Sequence, residues 1–528
     1  MREPRRRPAA CAGAPTSGIA DNAAVQNPAS AAEAAPPRAL LRAIVFVVGS
    51  ASLGAEIASA RLLAPYFGAS TIIWANTIAT VLVALSAGYA LGGRLADRRA
   101  DLRGLCGIVL AAGVLLAAIP FAAGPFLHLA VKAIGAVSLG GFLGSLVAVL
   151  ALVALPVLLL GTVAPYVNRL ALARLSDTGH VTGDLYAIST AGSLVGTFLS
   201  ALLLIPLIGT HRTFGMFALA LGLVAAPWMG RKRYLLIPLG LAALLLVPAP
   251  TVGADVPGAK VIYENETAYQ YARVLQFRSG ERWLQLNEGV AVHSEYLPRN
   301  YLTGGYWDDF LVLPFAAGRP RLRRIAILGN AAGTVARAYG HYFPGVRVDA
   351  VELDPALTSI GKRFFGLRGP NLHLYTADAR PWLAQSKGRY DSIFVDAYRQ
   401  PYIPFYLATR EFFASVRAHL RPRGVAIVNV GHVPRSDALE RVVTRTLRAV
   451  FPVVMRDPFS NTNSLVVAST LPLSARAIIA SAPTGLAELA SRVAGRLGPG
   501  LGGGRVYTDD RAPVEWLTDL SLVQYAQR

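Results

Sequence analysis

The chain has 528 residues, of which 53% are hydrophobic and only 16% charged, and its mean hydropathy is +0.44. That excludes an ordinary soluble enzyme, a wholly disordered chain and a small disulfide-stapled fold, and the only two cysteines, Cys11 and Cys106, match no metal-type spacing. The formal charge is +20, but it sits in clusters beside apolar segments, as Arg5-Arg6-Arg7, Arg98-Arg99 and Arg231-Lys232-Arg233. No aromatic-interleaved basic stripe accompanies them, so the charge argues for a lipid bilayer and against nucleic acid.

Residues 1–38 are Ala, Pro, Arg and Ser without periodicity, which predicts a disordered basic tail in the cytoplasm. Residues 39–250 read as a polytopic α-helical membrane domain of about seven spans, near 40–62, 71–93, 104–123, 141–165, 184–206, 213–230 and 234–250. Crossing a hydrocarbon core takes about 20 residues, and the last run is the weakest because it is short and proline-rich. Arg94, Arg98, Arg99 and Arg103 follow the second run, Arg169 and Arg174 the fourth, and Arg231, Lys232 and Arg233 the sixth. The opposite loops hold little beyond Lys132 and Arg212, so the positive-inside rule puts the N-terminus in the cytoplasm. Glu56 and Arg61 fall within the first span. Ionisable groups there point to a substrate or proton path; alternatively they pair with each other, or Arg61 reaches the interface.

From about residue 251 the composition becomes that of a soluble domain. Residues 251–320 predict a small β subdomain, with strands in YQYARVLQF, RWLQLN and AVHSEY and turns at Ser279-Gly280 and Glu288-Gly289. Residues 321–528 alternate strands with helices, which predicts a parallel sheet covered on both faces. In RRIAILGNAAGTVARAYGHYF a buried strand leads to a turn where Gly329 and Gly333 let the backbone approach a ligand, and a helix starts near Thr334. The next strand ends at Glu352, about 20 residues on, where an acid can accept hydrogen bonds from ribose hydroxyls. Asp378 and Asp396 end the following two strands. Ligands bind beyond such strand ends, although each Asp is equally suited to cap a helix. His128, His293 and His373 are scattered and read as packing residues.

The motifs YENETAYQYARV, ILGNAAGT, VELDP, TADARPWL, YDSIFVDAY with IPFYLATREFF, and YTDDRAPVEWL together resemble the spermidine synthase (polyamine aminopropyltransferase) family. GAEIASARLLAPYFGAS, LLLGTVAPY and GDLYAISTAGSLVGTFLSALLLIPLIG look like its membrane-fused branch. The resemblance implies a Rossmann-like, methyltransferase-type domain preceded by a small β subdomain. It implies decarboxylated S-adenosylmethionine as donor, methylthioadenosine as co-product, a small amine as acceptor and no metal. By position it implies that Gln270 contacts the nucleoside, Glu352 the ribose, and Asp378 with Ala379 the adenine. It gives Asp396 the role of base toward the attacking amine and Tyr306 that of holding this amine. A homo-oligomer is compatible with the sequence.

The amine side departs from the family pattern. Its Tyr-His-Glu is Tyr306-Trp307-Asp308 here, its glycine-loop aspartate is Ala332, and its second catalytic-loop aspartate is Arg399. A polyamine is a chain of cations that needs carboxylates to offset desolvation, and losing a counter-charge costs roughly 2–5 kcal/mol. The sequence thus argues against putrescine in the usual pose unless Asp308, Asp309 or Glu295 compensates.

The leading reading is a membrane-bound aminopropyltransferase. A second is a methyltransferase using S-adenosylmethionine itself on a membrane-delivered substrate, with Arg399 pairing with the donor carboxylate. A third is a transporter gated by a nucleoside-sensing domain. A donor made in the cytosol favours a cytoplasmic domain on a multi-pass cell-membrane protein, whereas seven spans would put that domain outside.

Overall fold

The computed structural model describes residues 36–67, 71–137, 140–172, 178–247, 256–287, 291–399 and 402–526. The expected tail up to residue 35, Cys11, Arg174 and the Glu288-Gly289 turn lie outside them, as do the side chains of His128 and Lys132. The chain begins with helices α1 (Arg38–Phe67), α2 (Thr71–Arg98), α3 (Leu102–Val137), α4 (Gly140–Ala171), α5 (Thr178–Phe198), α6 (Ile205–Ala225) and α7 (Leu236–Leu244). Five helical runs are long and apolar enough to cross a membrane: Arg38–Ala64, Ile73–Arg98, Leu102–Leu127, Gly144–Ala171 and Gly179–Met229.

The seven expected spans are therefore not seven separate long helices. The runs near 184–206 and 213–230 are two limbs of Gly179–Met229, joined by a wide π-helical turn at Leu199–Leu204 and broken at Gly209. Gly209 has φ 83° and ψ 165°, a conformation outside the helical region that only glycine adopts readily. Among the described residues, the run near 234–250 supplies the end of a 3-10 turn, Lys232–Leu235, and the nine-residue α7, the latter about 14 Å long.

Contacts between small residues fix the direction of each limb. Ser50 Oγ donates to Gly192 O at 2.8 Å and Ser200 Oγ to Gly54 O at 3.3 Å, so α1 and α5 run parallel. The Phe217 ring lies where a Cβ on Gly54 would sit, so α6 turns back along α1 and Gly209 closes a helical hairpin. α2 and α4 run parallel, tied by Asn76 to Ser145 at 2.9 Å and by Tyr166 OH to Arg99 O at 2.8 Å. Between these ties Gly88, Gly92 and Gly161 bring the two backbones into contact, the use of small residues expected where helices pack in an apolar medium. α7 then climbs back along α6, with Leu241 against Gly222 and Leu245 against Gly215. Arg103 lies against Gly230, and Arg42 pairs with Asp184 at 2.8 Å. The basic clusters thus share one end of the bundle, and the chain leaves it at the other, beside Arg61 and Thr210.

There β1 (Ala259–Glu266), β2 (Tyr271–Phe277), β3 (Arg282–Leu286) and β4 (Val292–Tyr296) form an antiparallel sheet in chain order. β1 is an addition to the three strands read from the sequence. The main domain follows as β5 (Arg324–Leu328), α8 (Thr334–Tyr342), β6 (Arg347–Glu352), α9 (Pro355–Phe364), β7 (Leu372–Thr376), α10 (Ala379–Gln385), β8 (Tyr390–Val395), α11 (Arg410–His419), β9 (Leu420–Gly431), α12 (Ala438–Arg448), β10 (Val453–Asp457), β11 (Asn463–Ser469), α13 (Ala475–Ser481), α14 (Ala487–Arg496), β12 (Gly498–Pro499) and α15 (Val514–Ala526). The sheet order is β12-β10-β11-β9-β8-β5-β6-β7, a Rossmann-like, methyltransferase-type α/β fold. It is mixed rather than wholly parallel. β5 to β9 run parallel, while β11, β10 and β12 are antiparallel. The link from β10 to β11 is too short for a crossover and allows only a hairpin. β8 is buried along its whole length, as a strand covered on both faces must be.

The bundle contacts are testable with two glycines. A Cβ on Gly192 would sit 2.2 Å from Phe46 O, whereas one on Gly93 meets nothing within 4 Å. Gly192→Ala is expected to lower the thermal midpoint of the detergent-purified protein by several degrees, for an overpacking cost of about 1–3 kcal/mol. Gly93→Ala is expected to leave it unchanged or higher.

Candidate active site

The site is assembled at the carboxyl edge of the large sheet, where strand ends meet. β5 runs into the turn Gly329 to Gly333 before α8. Gly329 has φ 92°, and a Cβ there would sit 2.4 Å from Asp396 O; Gly333 has φ 91° and faces Leu367. Gly329 is demanded by the close approach of the segment after β8, Gly333 by that of Leu367, and both by the backbone, whatever else they do. Ala331 is held at φ 44°, a strained value for a residue with a Cβ. Its N–H donates to Glu352 Oε2 at 2.8 Å, and the N–H of Asp354 donates to Glu352 Oε1 at 3.0 Å. Burial pushes the Glu352 carboxyl upward while these backbone donors pull it down. The buried Asn330 Oδ1 has no partner among the described residues.

Gln270 comes from the β subdomain and reaches this group indirectly, with Nε2 3.5 Å from Asp354 Oδ2. Asp378 does cap a helix. Its Oδ1 accepts the Arg380 N–H at 3.0 Å, and its Oδ2 accepts from Tyr406 OH at 2.7 Å. Ala379 is the buried first residue of α10.

Asp396 caps no α-helix. It follows β8, its N–H donates to Leu328 O at 2.9 Å, and its carboxylate is held by two side chains. Asn429 Nδ2 donates to Oδ1 at 2.7 Å, and Tyr306 OH lies 3.2 Å from Oδ2 and 3.4 Å from Oδ1. Burial pushes the Asp396 carboxyl up to about 7, against the opposing pull of Asn429 and Tyr306. Burial and the neighbouring Asp396 charge hold the Tyr306 phenol above its usual range, so it stays a neutral donor. A carboxylate so poised takes up and releases a proton near neutral pH.

Of the three acids near the lost counter-charges, two are committed elsewhere. Asp308 accepts the N–H groups of Thr303 at 2.9 Å and Gly304 at 2.8 Å. Asp309 shares Arg496, at 2.6 Å, with Asp457, at 2.7 Å. Glu295 is pushed up to about 7, first by burial and then by Glu281 and Asp308. Ala332 is buried, with its N–H on Ser294 Oγ at 3.0 Å, and Arg399 is exposed. Trp307, tilted, and Phe459, edge-on, flank Tyr306 at centroid distances of 4.8 Å and 6.4 Å.

Asn429 and Asn463 were not anticipated. Asn463 Nδ2 donates to Asn429 Oδ1 at 3.0 Å and so orients the amide toward Asp396. The available signal was the lone amide in the buried run VAIVNVG, at the end of a central strand.

No family model matches the chain. It is similar to a "Probable polyamine aminopropyl transferase" of Bifidobacterium longum, 33% identical over 204 residues, which cover 38% of this chain and 45% of that protein. It is also similar to the "Polyamine aminopropyltransferase" of Vibrio vulnificus, 36% identical over 114 residues, 21% of this chain and 38% of the other. The chain thus spans less than half the length of these curated relatives. A solved structure of a probable spermidine synthase from Corynebacterium glutamicum overlaps 49% of this chain and 100% of its own, at 19% identity and a TM-score of 0.37. The fold assignment rests on the strand order, not on that overlap. These likenesses support a spermidine synthase (polyamine aminopropyltransferase) family domain in this chain.

Removing the amide at Asn429 tests the carboxylate's environment without any assay of turnover. Loss of a hydrogen bond to a charged group costs about 1.5–3 kcal/mol, so Asn429→Leu is expected to raise the Asp396 pKa by roughly 1–2 units. Infrared difference titration of the carboxyl band, with Asp396→Asn as reference, reads this shift.

Proposed function

We propose that the protein is a membrane-bound aminopropyltransferase acting on an amine acceptor. The observation that carries this reading is the partly buried Asp396, fixed by Asn429 and Tyr306 and poised at about 7. The nucleoside of decarboxylated S-adenosylmethionine lies over the Gly329–Gly333 turn, with Glu352 on the ribose and Asp378, Ala379 and Gln270 around the base and sugar. The side-chain amide oxygen of Asn330, without a partner among the described residues, supports a polar ligand there. The amine nitrogen attacks the aminopropyl carbon bonded to sulfur. That C–S bond breaks, sulfur keeps the electron pair as methylthioadenosine, and the amine proton passes to Asp396. Tyr306 orients the nucleophile, and alignment of nitrogen, carbon and sulfur supplies much of the rate.

Few anionic groups remain to hold a second ammonium, because Asp308 and Asp309 are engaged and Ala332 and Arg399 replace acids. The aromatic wall of Tyr306, Trp307 and Phe459 suits an acceptor with one amine and an apolar remainder. The same Ala332 favours a second reading, methyl transfer from S-adenosylmethionine, since no carboxylate there opposes a donor carboxylate.

The five long apolar runs support a multi-pass anchor in a cell membrane. The basic end of the bundle then faces the cytoplasm. Since the chain leaves the bundle at the opposite end, the α/β domain faces away from the cytoplasm, contrary to the expectation from the donor. A donor made in the cytosol must then be delivered to that face.

Two measurements test these statements. Mass spectrometry of the detergent-purified protein, given each donor with monoamines and diamines, should yield methylthioadenosine, with a monoamine consumed. Asp396→Asn should lower the yield by about 10²–10⁴-fold; adenosylhomocysteine would establish the methyl-transfer reading instead. For topology, a cysteine at exposed Ser279 should react with an impermeant maleimide in intact cells. Reaction only after lysis would put the domain in the cytoplasm.

A further inference from the structure

Arg61 is charged and sits near the end of an apolar helix, and its partner is not Glu56. Its Nε lies 3.2 Å from Glu266 Oε1, and its Nη2 donates to Thr267 O. Glu266 is the last residue of β1. Its Oε2 accepts the N–H of Thr210 at 2.8 Å, and its carboxylate also accepts from the Thr210 hydroxyl. One carboxylate from the β subdomain therefore neutralises Arg61 and satisfies the first amide after the Gly209 break, where α6 leaves donors unpaired.

The next residue continues inward. Thr267 is buried, and its hydroxyl lies 2.6 Å from Asp354 Oδ2. Asp354 caps α9 through Ala356 N–H at 3.0 Å, and its own N–H holds Glu352 Oε1 at 3.0 Å. The other Glu352 oxygen holds the Gly329–Gly333 turn through Ala331. The contacts thus run without a gap from the turn between α5 and α6 to Glu352 and the glycine turn it holds.

We propose that Arg61 and Thr267 are positioning residues for the nucleoside site, and that nucleoside binding and the Gly209 hinge are coupled through Glu266, Thr267 and Asp354. This rests on the reading that Glu352 holds the nucleoside. Coupling of this kind is reciprocal. A hinge that loses its hold on Glu266 releases Thr267 and Asp354 and leaves Glu352 less fixed. A nucleoside that fixes Glu352 tightens the start of α6.

The test uses the full chain in lipid nanodiscs with methylthioadenosine as probe. Affinity is measured by calorimetry, and exchange of the amides of Thr210–Phe214 by hydrogen–deuterium exchange. Arg61→Gln and Thr267→Val are each expected to weaken binding by about 10-fold. Thr267→Ser, which keeps the hydroxyl, should bind as the wild type does. In the wild type the probe should slow exchange at Thr210–Phe214, and in Thr267→Val it should not. Glu352→Gln should abolish measurable binding. If Glu352→Gln does so while Arg61→Gln and Thr267→Val bind normally and the probe leaves exchange unchanged, the coupling is overturned and the nucleoside reading stands. If Glu352→Gln binds as the wild type does, the nucleoside reading falls and the coupling with it. The wild-type exchange measurement decides the matter even if Arg61→Gln fails to fold.

Discussion

A carboxylate taken out of water resists ionisation, and the carboxyl edge of the large sheet is arranged to hold one there at the brink of it. Burial alone would leave Asp396 protonated and inert as a base; full exposure would leave it ionised but too weak to hold a proton. Asn429 and Tyr306 set the balance between these limits. Much else follows from placing that group. Gly329 must lack a side chain because β8 delivers Asp396 against it. Asn463 must orient Asn429. This design has a stability consequence. The folded pKa of about 7 lies above the ordinary aspartate value, so the folded state binds more protons than the unfolded one between roughly pH 4 and 7. Asp396 therefore costs stability progressively as pH rises through that window.

The same principle operates at the junction of the two halves. Arg61 at the end of a spanning helix is tolerable because a strand of the β subdomain brings Glu266 to it. This places the α/β domain at the bundle end that lacks the basic clusters. The residues that seat Arg61 adjoin those that brace the Gly329–Gly333 turn.

Much of this was legible in the sequence because it depends on local pattern. The three acids Glu352, Asp378 and Asp396 were placed at strand ends by the alternation of apolar strands with helices, and Thr334 starts its helix as expected. What failed was what depends on partners distant in the chain. Arg61 looked able to pair with Glu56, five residues away, but its partner is Glu266. Asn429 does not stand out in the sequence because its value lies in Asp396 and Asn463, each more than 30 residues distant. The antiparallel strands β10 and β11 were hidden by an assumption of uniform crossovers.

The central claim is that Asp396 accepts the proton of an attacking amine. The most direct measurement is the single-turnover rate of methylthioadenosine formation against pH, with saturating donor and a monoamine whose own pKa lies well below 7. The account predicts a rate that rises with unit slope to a plateau, with its midpoint at about 7, and that this limb disappears in Asp396→Asn. A rate independent of pH across that range, or the same profile retained in Asp396→Asn, would contradict it.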